Sequence, residues 1–184
     1  MNYIGIDIGS TASKVVVRGE NEMYFVLPTG WSSKEMTITI KERLRSAGIN
    51  VESEDTRVIA TGYGRVAVDF ADKVITEITC HARGGRELAG GDCTIIDVGG
   101  QDTKVIQVQN GVVMDFLMND KCSAGTGKVL EIMANRLGIT LDELFELAKT
   151  GEMIPISSLC TVFAESEVIS YIGEGRPRYC CGRD

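Results

Sequence analysis

The chain has 184 residues, of which 43% are hydrophobic and 24% are charged, the composition of a globular protein with one domain or two small lobes. Its formal net charge of −7 argues against nucleic acid as the main partner, because neutralising phosphates requires a basic face. The sequence lacks a run of about 18 apolar residues and Met1 leads almost directly into a strand pattern, so we expect a cytoplasmic protein with neither a membrane span nor a signal peptide.

The first half of the chain is predicted to open with a β-hairpin. Apolar residues alternate over Ile4–Ile8, and the strand then breaks into the turn Gly9-Ser10-Thr11. A helical pattern over 34–47 is bounded by Ser33 as the candidate N-cap and by Gly48 as the stop. The other elements predicted in this half are strands at 14–18, 23–27 and 57–60 and a helix at 77–88.

The opening pattern recurs in the second half of the chain. The segment IIDVGGQDTK at 95–104 repeats the features of IGIDIGSTASK at 4–14, namely a strand, an aspartate at its end, a glycine, a hydroxyl residue and a lysine. Returning strands are again predicted, at 105–108 and 112–117. Two copies about 90 residues apart predict duplicated lobes and not a solenoid, whose period is shorter.

Each repeated turn is suited to a magnesium–nucleotide complex. Small residues let backbone amides approach phosphate oxygens, and Asp7 and Asp97 can hold hydrated Mg²⁺ through few carboxylates and many waters. We predict catalytic roles for both aspartates and for Gln101 as a residue that orients water, although a plain turn role explains Gln101 and Asp102 equally well. The predicted nucleotide-binding residues are Gly9, Ser10, Thr11, Lys14, Gly99, Gly100, Gln101, Thr103 and Lys104.

Two of the six cysteines, Cys122 and Cys160, are each predicted to lie at or just before the start of a helix. Cys122 precedes the small-residue loop 123–127 and an apolar helical pattern, and Cys160 follows the candidate caps Ser157 and Ser158. A helix N-terminus stabilises a thiolate or an anionic cluster. A [4Fe–4S] cluster usually takes four thiolates, which two chains about a two-fold axis would supply; for one cysteine alone, packing is the commoner role.

Taken together, these motifs resemble a known superfamily. DIGSTASK at 7–14 and DVGGQDTK at 97–104 look like the two phosphate motifs of the actin, sugar-kinase and heat-shock-ATPase superfamily. Within it, the chain resembles the iron–sulfur activators of 2-hydroxyacyl-CoA dehydratases, to which the ATPase subunits of benzoyl-CoA reductases are related. The further segments that carry this closer resemblance are TGYGR (61–65), EITCHARG (77–84), MNDKCSAGTGK (118–128) and CTVFAESEVIS (160–170).

The resemblance implies an activity, cofactors and partners. It implies a homodimer bridged by one [4Fe–4S] cluster, with Cys122 and Cys160 of each protomer as metal ligands, and ATP hydrolysis to ADP with Mg²⁺. It also implies that reduced ferredoxin or flavodoxin donates an electron, which ATP hydrolysis drives into a partner dehydratase by changing the angle between helices at the cluster. No nucleic acid and no membrane partner is expected.

The implied fold class is α/β, with duplicated actin-like (ribonuclease H-like) lobes, mixed sheets and flanking helices, and an incomplete second lobe. We predict a first lobe over 1–93 with the first phosphate motif, a partial second lobe over 94–178 with the second motif and the cluster cysteines, and an aberrant tail over 179–184. Codons for the tail, read in another frame, allow an apolar helix entry, so we interpret it as a frameshift product of a truncated activator. The helix over 161–173 is then expected to expose an apolar stripe, formed by Val162, Phe163, Val168, Ile169 and Ile172.

Besides the role of a benzoyl-CoA-reductase-type ATPase subunit, two functions of other classes are alternatives from the sequence. A small-molecule kinase of the same fold requires a carboxylate base aimed at a substrate hydroxyl, for which Asp102 is the sole candidate. A regulatory or assembly ATPase without a cluster would leave both cysteines chemically inert. The iron and acid-labile sulfide content of anaerobically purified protein distinguishes the activator from both alternatives.

Overall fold

The computed structural model describes residues 1–157 and 159–176 and has the predicted mixed α/β architecture. The predicted aberrant tail lies outside the described residues. The strands are β1 (Asn2–Ile8), β2 (Ala12–Gly19), β3 (Met23–Pro28), β4 (Thr56–Thr61), β5 (Lys73–Val74), β6 (Cys93–Val98), β7 (Thr103–Gln109) and β8 (Val112–Asn119). The helices are α1 (Ser33–Ser46), α2 (Glu77–Ala89), α3 (Gly127–Leu137), α4 (Leu141–Thr150) and α5 (Thr161–Gly173), and a short 3₁₀ helix covers Arg65–Ala67.

Contacts divide the chain into two compact units. The first consists of Met1–Ile95 and Ile106–Phe116, and the second consists of Ile96–Val105 and the chain from Leu117 onward. The lobe boundaries predicted from the sequence, between residues 93 and 94 and at 178, stay a prediction.

A five-stranded mixed sheet, in the order β3-β2-β1-β4-β5, organises the first unit. Strand β1 pairs antiparallel with β2 and parallel with β4, so the carboxyl ends of β1 and β4 lie side by side and Asp7 is in register with Thr61. Alternation along β1 buries its isoleucines against the apolar face of α1. The central members of this core are Ile4, Ile6, Ile8, Ile40 and Leu44.

Helix α1 begins one residue earlier than predicted. Ser32 and not Ser33 is its N-cap, because the Ser32 hydroxyl oxygen accepts a hydrogen bond from the Glu35 amide at 3.3 Å. Ser33 is already helical, and its carbonyl accepts from the Thr37 hydroxyl at 2.8 Å. Two adjacent serines offer the same capping chemistry, so the sequence alone does not separate them.

A three-stranded sheet, in the order β6-β7-β8, contains the second copy of the hairpin pattern and confirms the predicted returning strands. Ile106 and Val108 of β7 are buried and pack with Ala82 of α2. Gly85 lets α2 approach strand β6 closely, because a Cβ at this position would lie 2.3 Å from Ile95 Cδ1.

Helices α3, α4 and α5 all belong to the second unit. Helix α4 was not predicted, although Thr140 and Glu143 form a capping box that is readable as T-x-x-E in the sequence. The hydrogen bonds from Thr140 hold the pKa of Glu143 below its usual value. Within the described residues, every helix is too short or too polar to cross a bilayer. The buried residues that join these helices are Met133, Ala134, Leu137, Leu144, Ala164 and Val168.

Candidate functional site

The first repeated turn joins β1 to β2. The Gly9 amide donates to the Ala12 carbonyl at 3.2 Å, and a Cβ at Gly9 would lie 2.8 Å from that carbonyl oxygen, so the turn requires glycine there. Lys14 donates to Asp7 Oδ2 at 3.0 Å, and the lysine side chain is 50% exposed. The ammonium group therefore remains accessible to an anionic ligand.

Asp7 packs against a second glycine turn, 61–64, at the end of β4. A Cβ at Gly62 would lie 2.3 Å from Asp7 Oδ1, and the Gly64 amide donates to the Ile8 carbonyl at 2.8 Å. This Oδ1 is buried and has no hydrogen-bond partner among the described residues. A buried carboxylate oxygen without a donor fits a cation or a cation-bound water as its partner. The sequence singled out this turn only through the family resemblance.

The first turn is anchored to the loop that precedes α1 through Thr29. The Thr29 hydroxyl donates to the Gly9 carbonyl at 2.7 Å and lies 2.9 Å from the Ser13 hydroxyl. A hydroxyl carries one proton, so Ser13 is the donor in the second of these bonds. The Thr29 amide adds a bond to the Thr11 carbonyl at 3.0 Å. The backbone of the turn is thus fixed from one neighbouring segment.

The second repeated turn joins β6 to β7 and has the same closure. The Gly99 amide donates to the Asp102 carbonyl at 2.8 Å, as Gly9 does to Ala12 in the first turn. A Cβ at Gly99 would lie 2.7 Å from Asp102 Oδ1, so this turn also requires glycine. Gln101 is exposed at the tip of the turn.

Lys104 differs from its counterpart in the first turn. Its side chain is only 2% exposed, and its ammonium group lies 2.6 Å from Asp102 Oδ1 and 3.5 Å from Asp97 Oδ2. The sequence predicts Lys104 as a nucleotide-binding residue on the analogy with Lys14. In the structure its charge is engaged by two carboxylates inside the second unit, so it is placed to fix Asp97.

The second turn is anchored to the loop 119–127, which we call the cysteine loop because it carries Cys122. The Gly127 amide donates to the Gly99 carbonyl at 2.8 Å, and the Thr103 hydroxyl donates to the Gly125 carbonyl at 2.6 Å. A Cβ at Gly127 would lie 3.1 Å from Gly99 O. The predicted nucleotide turn and the cysteine loop are therefore joined directly by hydrogen bonds.

Cys122 is exposed but does not lie at a helix start as predicted. Helix α3 begins at Gly127 and is capped by Thr126, whose hydroxyl oxygen accepts from the Lys128 amide. Asn119 organises the segment around the cysteine, because its amide donates to the carbonyls of Cys122 and Ala124 at 2.9 and 3.0 Å. A helix dipole acts within the first turn, so the predicted dipole argument does not extend to this thiol.

Cys160 is exposed and is itself the N-cap of α5, so here the prediction of a helix start is confirmed. Of the two predicted caps, Ser157 instead donates its amide and hydroxyl to Glu167, and Ser158 lies outside the described residues. Desolvation, together with the Glu167 carboxylate, raises the pKa of Tyr171 above its ordinary value.

A hydrogen bond links the two cysteine segments within one chain. Ser123, directly after Cys122, and Thr161, directly after Cys160, have their hydroxyl oxygens 3.0 Å apart. Each bonded residue is the chain neighbour of a cysteine, so the two exposed cysteines belong to one local surface. This link joins residues 38 positions apart, and no local sequence pattern predicts it.

Helix α5 exposes most of the apolar stripe predicted for it. Val168 is buried, whereas Val162 and Phe163 are 65% and 66% exposed, and Ile169 and Ile172 are 42% and 37% exposed. The buried face is formed by Thr161, Ala164 and Val168. The expectation of an exposed apolar face is therefore confirmed for four of the five residues.

The chain is similar in sequence to one ATPase family and to activators of acyl-CoA dehydratases. A family model described as the BadF/BadG/BcrA/BcrD ATPase family matches residues 4–178. The (R)-2-hydroxyglutaryl-CoA dehydratase activating ATPase of Acidaminococcus fermentans is 44% identical over 178 residues, which cover 94% of this chain and 68% of that protein. The activator of lactoyl-CoA dehydratase of Anaerotignum propionicum is 44% identical, over 97% of this chain and 70% of that protein.

A solved structure gives the same result for the fold. The activator of the 2-hydroxyisocaproyl-CoA dehydratase from Clostridium difficile, with bound ADPNP, has a TM-score of 0.87 at 40% identity and covers 98% of this chain. The match covers 69% of that activator, so this chain spans about two thirds of its length. The fold class and the family resemblance predicted from the motifs are confirmed.

Proposed function

Because the chain belongs to the BadF/BadG/BcrA/BcrD ATPase family, we propose that it is an ATP-dependent activator that passes a low-potential electron to a 2-hydroxyacyl-CoA dehydratase. The two curated relatives and the solved structure described above, all named as activating proteins of such dehydratases, support this proposal. ATP with Mg²⁺ is the energy source and ADP is the nucleotide product. Reduced ferredoxin or flavodoxin is the proposed electron donor.

The two repeated turns are the proposed nucleotide site. Asp7 fits a role beside Mg²⁺, because its buried Oδ1 lacks a donor among the described residues. Asp97 has the equivalent position in the second turn, where the buried Lys104 holds its carboxylate. Gln101 is exposed at the tip of that turn and is the proposed water-orienting residue. The proposed phosphate contacts come from Gly9, Ser10, Thr11, Lys14, Gly99, Gly100 and Gln101 of the two turns, whereas the side chains of Thr103 and Lys104 are engaged within the second unit.

The observation that carries the electron-transfer part of the proposal is the Ser123–Thr161 hydrogen bond. It ties together the residues that directly follow the exposed Cys122 and Cys160, so one chain presents two thiols on one surface. A [4Fe–4S] cluster usually takes four thiolates, and a second copy of the chain supplies the other two. Such a cluster, when bound, supplies one-electron transfer at low potential.

Residues around the two thiols hold the cysteine segments in place. Asn119 holds the backbone of the cysteine loop, and Arg136 pairs with Glu165 to join α3 to α5. Cys160 lies at the N-terminus of α5, where the helix dipole favours a bound anionic group. These contacts fix two soft ligands before any group binds, which limits the ordering that binding requires.

Asp102, the residue that a small-molecule kinase of this fold would need as its catalytic base, is not suited to that role. Asp102, the sole candidate, is buried at 5% exposure and engaged by Lys104. A carboxylate held in that way is not available to take a proton from a substrate hydroxyl.

The test is the iron and acid-labile sulfide content of anaerobically purified protein. We expect about four irons per two chains in the wild type. Cys122→Ser and Cys160→Ser should each lose the visible absorption of the cluster and form a weaker dimer. Cys80→Ala, which changes a half-buried cysteine of α2, is the matched control and should keep full iron content. Full cluster content in Cys160→Ser contradicts the proposed ligand set.

A further inference from the structure

The two repeated turns are anchored in equivalent ways. In each turn the carbonyl of the glycine two residues after the aspartate accepts a bond from a following loop, from the Thr29 hydroxyl in the first turn and from the Gly127 amide in the second. The hydroxyl six residues after the aspartate binds the same loop, from Ser13 and from Thr103 respectively. The first of these loops carries no cysteine, whereas the second carries Cys122.

We propose that Thr103 is a positioning residue that couples the nucleotide turn to the thiol of Cys122, an inference that rests on the proposed function. Its hydroxyl has a single proton, which it gives to the Gly125 carbonyl at 2.6 Å. Thr103 therefore serves the cysteine loop, and the phosphates are contacted by other groups of the turn. This reassigns a residue that the sequence predicts as a nucleotide ligand.

The hydrogen-bonded partners of the nucleotide turn lie close to Cys122 along the chain. Gly99 and Thr103 flank the tip of the nucleotide turn, and their bonding partners, Gly127 and Gly125, lie within five residues of Cys122. A shift in the backbone of 99–103 on nucleotide binding carries the cysteine loop with it while both bonds persist. With the Thr103 bond removed, the loop is held to the turn through the Gly127 amide and moves more independently.

The experiment measures the alkylation rate of each thiol in cluster-free, reduced protein by mass spectrometry, with and without Mg-ATP. This readout needs neither a cluster nor a dehydratase. In Thr103→Val, which keeps the shape and removes the proton donor, we expect Cys122 to react roughly two- to tenfold faster without nucleotide, the range for loss of one hydrogen bond of ordinary net strength. Mg-ATP should change the Cys122 rate in the wild type and change it clearly less in Thr103→Val, where only the Gly127 bond still joins the loop to the turn.

Two variants control for structure. Thr103→Ser restores the donor and should restore the wild-type response to Mg-ATP. Ser13→Ala removes the equivalent hydroxyl of the first turn and should leave the Cys122 response intact, because that turn is anchored to a loop without a cysteine.

The outcomes separate this inference from the proposed function. Equilibrium binding of Mg-ATP is measured on the same samples. If Thr103→Val binds Mg-ATP and keeps the full wild-type response at Cys122, the coupling role is overturned while the proposed function stands. If the wild type binds Mg-ATP without any change at Cys122, the coupling role is likewise overturned. If the wild-type chain does not bind Mg-ATP, the proposed nucleotide site fails and the coupling role fails with it.

Discussion

The two repeated turns have one backbone plan and two electrostatic settings. Both are closed by an amide of glycine donating to the carbonyl three residues later, and both carry a lysine seven residues after the aspartate. In the first turn the lysine is half exposed beside one carboxylate, whereas in the second it is buried between two. The two turns differ in charge at one position, because Ala12 in the first turn corresponds to Asp102 in the second.

A repeated motif therefore does not repeat the environment of its side chains. Asp102 Oδ1 lies 2.6 Å from Lys104 Nζ, and this additional carboxylate offsets the free-energy cost of burying the ammonium group. In the first turn Ala12 takes the equivalent position, and the Lys14 side chain stays half exposed beside Asp7. The same lysine position is therefore half exposed beside one aspartate in the first turn and buried between two in the second.

Removing the two lysines gives the largest contrast. Lys104→Met leaves Asp97 and Asp102 without their buried cation, and we expect a loss of about 3–5 kcal/mol in the free energy of unfolding. Lys14→Met removes a half-exposed ion pair and should cost less than about 1 kcal/mol. Urea unfolding followed by circular dichroism measures both variants against the wild type.

A second substitution tests the cause of that loss. Adding Asp102→Asn to Lys104→Met removes one of the two negative charges that flank position 104 and should recover part of the lost stability. Equal losses in Lys104→Met and Lys14→Met contradict the contrast between the buried and the exposed lysine.

The aspartates of the two turns are expected to behave alike in catalysis. Asp97→Asn should lower Mg-ATP hydrolysis by roughly 100-fold or more while the fold survives, because Lys104 keeps Asp102 as its closer partner. Asp7→Asn should also lower hydrolysis, since its buried Oδ1 is proposed to face the metal. The exposed Asp55 supplies the control variant Asp55→Asn, which should hydrolyse ATP at the wild-type rate. If Asp97→Asn hydrolyses ATP at the wild-type rate, Asp97 is not part of the catalytic site.

Local patterns in the sequence were sufficient for much of the fold. The hairpin strands, the repeat, α2 and the extent of α5 were predicted, because apolar periodicity and turn residues act over a few positions. Helix α4 was missed, although its Thr140–Glu143 capping box was visible. The start of α3 was placed too early, because a small-residue loop separates Cys122 from the cap Thr126.

The parts of the site that depend on distant residues were not predictable. The burial of Lys104 depends on the packing of the whole turn, and alignment of the repeats suggests an exposed lysine like Lys14. The Ser123–Thr161 bond spans 38 positions and has no local signal. Anchoring of the second turn by a glycine amide leaves no mark in the side-chain pattern, since any residue but proline carries that donor.

The smallest expected effect tests that glycine junction, where the two turns also differ. The first turn is anchored by the Thr29 side chain, whereas the second is anchored by the backbone of Gly127, which a mutation can crowd but not remove. Gly127→Ala places a Cβ 3.1 Å from Gly99 O, at the first residue of α3. Gly84→Ala, inside α2, places its Cβ in open space and should stabilise the protein by up to about 1 kcal/mol through helix propensity.

The difference between these two glycine variants isolates the contact. Both gain helix propensity, so we expect Gly127→Ala to be less stable than Gly84→Ala by about 1–2 kcal/mol, the cost of moving Gly99 away or straining the junction. Urea midpoints of the two variants and the wild type measure it. Gly127→Ala as stable as Gly84→Ala means that the cysteine loop yields at no cost, and the turn is then held by the Thr103 bond and not by a rigid junction.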